Sequence, residues 1–299
     1  MEYLSGSDFK SLFKKGDQAM NFGLMLLLGY LLTKLLLPLL IKILAAAGIT
    51  KDNWQGRPVI MMAGLIIPIV LILAYIPLSF ILVNKPDEYL YLSAVCAVSL
   101  LGMTDDLLGG SAQKGIRGHF LYLWTQRRIS TGVIKALGIG VVSLWMVIEL
   151  QPDYVVLNWL VLVLSANFIN LLDLRPGRAV KGFIIMFVLA GLLTQSAYLT
   201  QGSCVGEPYA DYSMFAAVSV GIVLAYTCYD LRGVVMLGDT GSNTLGTIAG
   251  LMLLRGPLLA RILMAFFLVL LHVAAEKYSF SKLIEQNSWL HDLDHWGRE

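Results

Sequence analysis

Charge is what this chain has least of. Only 14% of its 299 residues are Asp, Glu, Lys or Arg, where a soluble domain carries roughly 25%. That shortage argues against a soluble globular protein, a disordered chain and a free-standing nucleic-acid-binding module; a collagen-like chain is set aside as well. Cysteine is nearly absent too. Three residues, Cys96, Cys204 and Cys228, cannot build a disulfide framework and read as free thiols. Neither sign of charge dominates: 22 Lys and Arg face 20 Asp and Glu, for a net charge of +2.

What the chain has instead is apolar length. Hydrophobic residues make up 57% of it, and mean hydropathy is +0.73. Long apolar runs alternate with short, charge-rich connections. A run of about 20 apolar residues spans a bilayer as a helix. The fold class expected is therefore all-α: a polytopic membrane protein of about nine helices. The candidate helices lie near 20–42, 58–83, 87–104, 131–149, 153–172, 182–199, 209–229, 239–254 and 256–275. The first run is too long for the core of a signal peptide, about 7–15 residues. Residues 1–275 are expected to form one transmembrane domain, and 276–299 a cytoplasmic tail.

Cations choose the orientation, because loops rich in Lys and Arg stay in the cytoplasm. One set of connections holds Lys51, Arg57, Lys114, Arg117, Arg127, Arg128, Arg175, Arg178, Lys181, Arg232 and the cations of the tail. The other set has Lys85 and Arg255 in its loops. The first set is expected to face the cytoplasm. Lys10, Lys14 and Lys15, before the first helix, run against that rule. Lys34 and Arg261 fall inside spans, where snorkelling or an internal partner would accommodate them.

This orientation, drawn from Lys and Arg alone, gathers four aspartates on the cytoplasmic side. Asp105 and Asp106 end the third span, in GMTDDLLGG. Asp173 ends the fifth, in NFINLLDLRPGRAVKG. Asp239 opens the eighth, in MLGDTGSNTLG. Asn167, Asn170 and Asp173 recur every third residue and share one face of a helix, spread over about 120°. Such groups do not belong on a lipid-facing stripe, where burial without a partner costs several kcal/mol. They line a polar cavity or join helices by hydrogen bonds. Adjacent carboxylates repel, so the Asp105–Asp106 pair calls for a cation nearby or a raised pKa. A hard, oxygen-liganded ion suits it, and Mg²⁺ takes one or two carboxylates plus phosphate oxygens. Glycines around Asp239 allow close backbone approach, and a helix N-terminus there favours a phosphate. The basic loops suit an anionic substrate or simply lipid headgroups. Lys135 stands apart from them, one turn inside its helix.

The ordered motifs, DD, then NxxNxxD, then GDxGS, resemble the polyprenyl-phosphate N-acetylhexosamine-1-phosphate transferase family, of the glycosyltransferase family 4 type. The resemblance runs from about Gln55 to Gly250. It implies a cytoplasm-facing active site in a multi-pass protein of the bacterial plasma membrane. The implied reaction moves a sugar-1-phosphate from a UDP-sugar to undecaprenyl phosphate in cell-envelope glycan synthesis, with Mg²⁺ (or Mn²⁺) and release of UMP. By motif match, Asp105 and Asp106 are the catalytic pair, and Asp239 with Asp106 holds the metal. Lys135, Asn167, Asn170, Asp173 and Arg178 bind substrate. The partners implied are the polyprenyl phosphate, the nucleotide sugar and the membrane, with no nucleic acid. Gly246 and Gly250 mark a close helix contact, within one chain or in a homodimer.

Three departures stand on the nucleotide side. Pro176 takes the place of a second family aspartate, Ile139 that of a glutamine, and the HHxxE-type loop is missing. They leave a second reading, a non-catalytic relative that binds polyprenyl phosphate or an envelope-synthesis partner. An unrelated transporter would need paired charges near mid-span.

Overall fold

The computed structural model describes residues 6–53, 55–79, 86–109, 130–150, 153–201, 209–277 and 284–298. The protein is an all-α polytopic membrane bundle. Its helices are α1 (Gly6–Ala46), α2 (Ile66–Ser79), α3 (Pro86–Leu108), α4 (Thr131–Leu150), α5 (Val155–Leu172), α6 (Arg178–Gln201), α7 (Tyr209–Leu231), α8 (Gly238–Leu253), α9 (Leu258–Lys277) and α10 (Ser288–His295).

Each of the nine expected runs contains a helix. Among the described residues, six helices are long and apolar enough to cross a membrane: Met20–Ala46 within α1, Glu88–Leu108 within α3, α4, α5, Met214–Leu231 within α7, and Leu258–Glu276 within α9. Ala63–Ile76 is a shorter apolar helical stretch. Large apolar side chains stand exposed along these helices, among them Leu35 and Ile43 of α1, Leu137 and Val141 of α4, and Leu263 and Phe266 of α9. Apolar surface on this scale marks contact with lipid.

The 58–83 expectation needs correction at its start. Pro58–Ile60 is a strand, β2, paired antiparallel with β1 (Thr50–Asp52). Asn53 shapes the connection, its side-chain oxygen accepting the Gln55 and Arg57 amides. The backbone after β2 runs on to the segment before α8: Met236 N donates to Ile60 O at 2.8 Å, and Ala63 N donates to Met236 O at 3.1 Å. These bonds tie the hairpin to the base of α8.

Helix α8 is the centre of the bundle, packed by α3, α5 and α6. It is buried along nearly its whole length although rich in hydroxyls. Those hydroxyls turn inward: Ser242, Thr244 and Thr247 each donate to the carbonyl four residues back, at 2.7–2.9 Å. A helix jacketed by protein can carry such groups, provided each is paired. Gly246 meets the backbone of Ser165 and Ala166 in α5, where a Cβ would come within 2.3 Å of the Ser165 carbonyl oxygen. The small-residue contact is therefore made within the chain. The two charges inside spans have internal partners. Lys34 lies over the rings of Tyr30 and Tyr229, at 5.6 and 5.5 Å. Arg261 donates to Asn158 at 2.9 Å.

Candidate active site

Four helix ends meet at one end of the bundle: the last turns of α3 and α5, and the first turns of α4 and α8. Each brings its polar residue there because the apolar run stops at that point. Lys135 is the hub. Its Nζ lies 2.6 Å from Asp105 Oδ2 and 2.8 Å from Asp239 Oδ2. Thr131, one turn earlier in α4, donates to Asp105 Oδ1 at 2.6 Å. One ammonium thus holds two carboxylates from helices that are 134 residues apart in sequence.

Asp106 faces elsewhere. Its Oδ1 accepts the Asp239 amide at 2.9 Å, and its Oδ2 accepts both the amide and the hydroxyl of Thr240, at 2.8 and 2.6 Å. It caps α8 from another helix, satisfying amides that have no partner within α8. The partial positive charge of that helix end favours its carboxylate. Gly238 makes the approach possible. It adopts φ +70°, and a Cβ there would lie 2.6 Å from Asp106 Oδ2. The expected metal-ligand role of Asp106 meets a geometric obstacle, because three of the roughly four acceptor positions of a carboxylate are occupied by α8.

Asp173 caps the same helix from α5. Its Oδ2 accepts the Gly238 amide at 3.0 Å. Its pKa is pushed well above the usual carboxylate range, first by burial and then by the Asp230, Asp106 and Asp239 charges. The Ser242 hydroxyl, whose one proton is shared between the Gly238 carbonyl and Asn170 Oδ1, lies 2.9 Å from that oxygen, so Asn170 joins two helices at the inner edge of the site. Asn167, one turn earlier, stands exposed.

The Arg178 side chain is engaged by the C-terminal segment. Rather than reaching toward Lys135 and the aspartates, it is 5% exposed and donates Nε and Nη2 to Asp294 of α10, at 2.9 and 2.7 Å. Asp230, which no motif marked, accepts the Gly177 amide at 2.9 Å and shares a shallow pocket with Asn53, Asp173, Arg175 and Pro176. Its one sequence signal was an acid at the end of a span on the same face as the others. Lys114, Arg117, Arg127 and Arg128 lie outside the described residues.

The donor chemistry fits a hard divalent cation. Two carboxylates, Asp105 and Asp239, flank one ammonium, and both offer oxygen. Among the described residues no three acidic or metal-binding side chains form a cage by themselves.

A helical membrane bundle with an acid–lysine site at one end defines a class, the polytopic membrane proteins with a polar site where helix ends meet. Residues 89–256 match glycosyl transferase family 4, and the chain belongs to that family. It is 27% identical over 216 residues to the phospho-N-acetylmuramoyl-pentapeptide-transferase of Wolbachia sp. subsp. Brugia malayi (strain TRS). The match covers 68% of this chain and 60% of that protein, so the chain spans less than two thirds of the length of this relative.

Proposed function

We propose that the protein transfers a sugar-1-phosphate from a UDP-sugar to undecaprenyl phosphate at the cytoplasmic face of a bacterial plasma membrane, in cell-envelope glycan synthesis. The observation that carries this reading is the placement of Lys135 between Asp105 and Asp239, at the mouth of an apolar bundle. A lipid phosphate and a soluble pyrophosphate can meet only where the bundle opens to water.

An oxygen of the lipid phosphate forms a new bond to the sugar-bearing phosphorus of the donor. The bond from that phosphorus to the bridging oxygen breaks, and UMP leaves with that oxygen. Asp105 orients the acceptor phosphate and takes its proton if it arrives protonated. Lys135 stabilises negative charge on the phosphate oxygens, as phosphoryl transfer requires. Asp239 would hold Mg²⁺ (Mn²⁺ as the alternative), which would supply charge neutralisation on the pyrophosphate. Asp106 and Asp173 fix the N-terminus of α8, and with it the position of Asp239.

Purified protein with Mg²⁺, undecaprenyl phosphate and a panel of UDP-sugars is expected to give lipid-linked product and UMP. Asp239→Asn is expected to abolish both. Absence of turnover with every donor, together with normal cellular function of Asp105→Asn and Asp239→Asn, would refute the reading. Facing is tested separately: in a variant with Cys96, Cys204 and Cys228 replaced by Ser, Leu174→Cys should react only with thiol reagents added from the cytoplasmic side.

A further inference from the structure

The last helix is fastened to the segment that follows Asp173. Arg178 grips Asp294 with two donors. Arg298 also pairs with Asp294, and its Nε donates to the Pro176 carbonyl at 2.7 Å. Lys181 Nζ donates to the Leu293 and Asp294 carbonyls, at 2.9 and 2.7 Å, satisfying acceptors that the end of α10 leaves open. From the inner side Asp230 holds the Gly177 amide. The 173–178 turn is thus clamped between α7 and α10, and its first residue, Asp173, binds the Gly238 amide at the start of α8.

We propose that Asp294 is a positioning residue for the nucleotide side of the site: through Arg178 and Arg298 it holds the Asp173–Arg178 turn in register with the N-terminus of α8. This rests on the transferase reading above. Asp294 does not touch Asp105, Lys135 or Asp239. Its effect passes along the turn. It is also the carboxylate on which Arg178 and Arg298 converge, with Lys181 on its own carbonyl. Asp230, which already holds Gly177, is a second acid that interacts with Arg298 and Lys181. Their re-pairing there would draw the turn away from α8 and release Asp173 from Gly238.

The test compares full-length wild type, Asp294→Asn, Asp294→Glu and Arg298→Gln in lipid nanodiscs. Amide exchange in the 174–181 segment is expected to rise about tenfold in Asp294→Asn, while α3 and α4 stay unchanged. With UDP-N-acetylglucosamine, UDP-N-acetylgalactosamine and UDP-glucose as donors, KM for the donor turned over is expected to rise about tenfold, with KM for undecaprenyl phosphate within about twofold. Asp294→Glu should recover part of both changes. Arg298→Gln, which keeps the Arg178 pair, should show a smaller shift in the same direction and serves if Asp294→Asn does not fold. Unchanged exchange, or faster exchange with unchanged donor KM, overturns the proposal. A wild type inactive with every donor refutes the transferase reading instead, and the exchange measurement still decides whether Asp294 holds the turn.

Discussion

Asp106 and Thr240 are joined twice, through the amide at 2.8 Å and the hydroxyl at 2.6 Å. This contact separates two neighbours that look equivalent in sequence. Asp105 turns to Lys135, and Asp106 to the first turn of α8. Adjacent residues on a helix point about 100° apart, so one acid faces α4 while the other faces α8.

That division predicts different losses. Asp106→Asn exchanges an acceptor for a group that must also donate, opposite two amides and a hydroxyl. It is expected to destabilise the protein by about 1–3 kcal/mol, read as a lower thermal midpoint in detergent. Asp105→Asn should lose activity with a much smaller thermal shift. Equal midpoints for the two variants would contradict the assignment.

Lys135→Met removes the ammonium between two carboxylates. Asp105 and Asp239 then repel unless a cation intervenes. The variant should fall about a hundredfold or more in turnover. Added Mg²⁺ should raise its thermal midpoint more than it raises that of wild type. An identical Mg²⁺ response in the two proteins would show that no metal takes up this charge.

Gly102 lets α3 meet the first turn of α8. A Cβ there would lie 2.3 Å from the Asp239 carbonyl oxygen, a distance that forces the helices apart. Gly102→Ala is expected to cost about 1–3 kcal/mol in overpacking. A displacement of about 1 Å can lower turnover about a hundredfold. Gly191→Ala, with nothing within 4 Å, is the control and should be neutral. Wild-type turnover in Gly102→Ala would mean that the close approach is dispensable.

The tail contact has a defined pH window. Burial alone would raise the Asp294 carboxyl, but hydrogen bonds from Arg178 and Arg298 outweigh it and hold the group at about 2, below its ordinary 3.8. The folded state therefore binds fewer protons than the unfolded one as pH falls through this range. The stabilisation is fully present above the unfolded value and is lost as pH drops toward 2. The loss of thermal midpoint in Asp294→Asn relative to wild type, which isolates this carboxylate, should stay constant from neutral pH down to about 5 and shrink only below about 4. A difference that shrinks between pH 5 and 7 would contradict the assignment.

Much of the architecture was legible because its signals are local. Apolar runs near bilayer length locate the helices, and the placement of cations gathers Asp105, Asp106, Asp173 and Asp239 on one side. Lys135 could be singled out because a charge one turn inside an apolar helix is costly without a partner. The β1–β2 hairpin was missed, although Asn53 and Gly56 mark its turn. Two three-residue strands carry too little periodicity to stand out beside a long apolar run. Asp230 was missed because a lone acid at a span end has no motif around it.

The sequence by itself determined that this is a membrane bundle with its acids at helix ends, since hydropathy and spacing are properties of neighbouring residues. Only the tertiary structure decided which acid meets which partner. It set Lys135 between Asp105 and Asp239, turned Asp106 to the amides of α8, and took Arg178 to Asp294, 116 residues away. Those pairings depend on helix rotation and on contacts between distant segments, which no local pattern encodes.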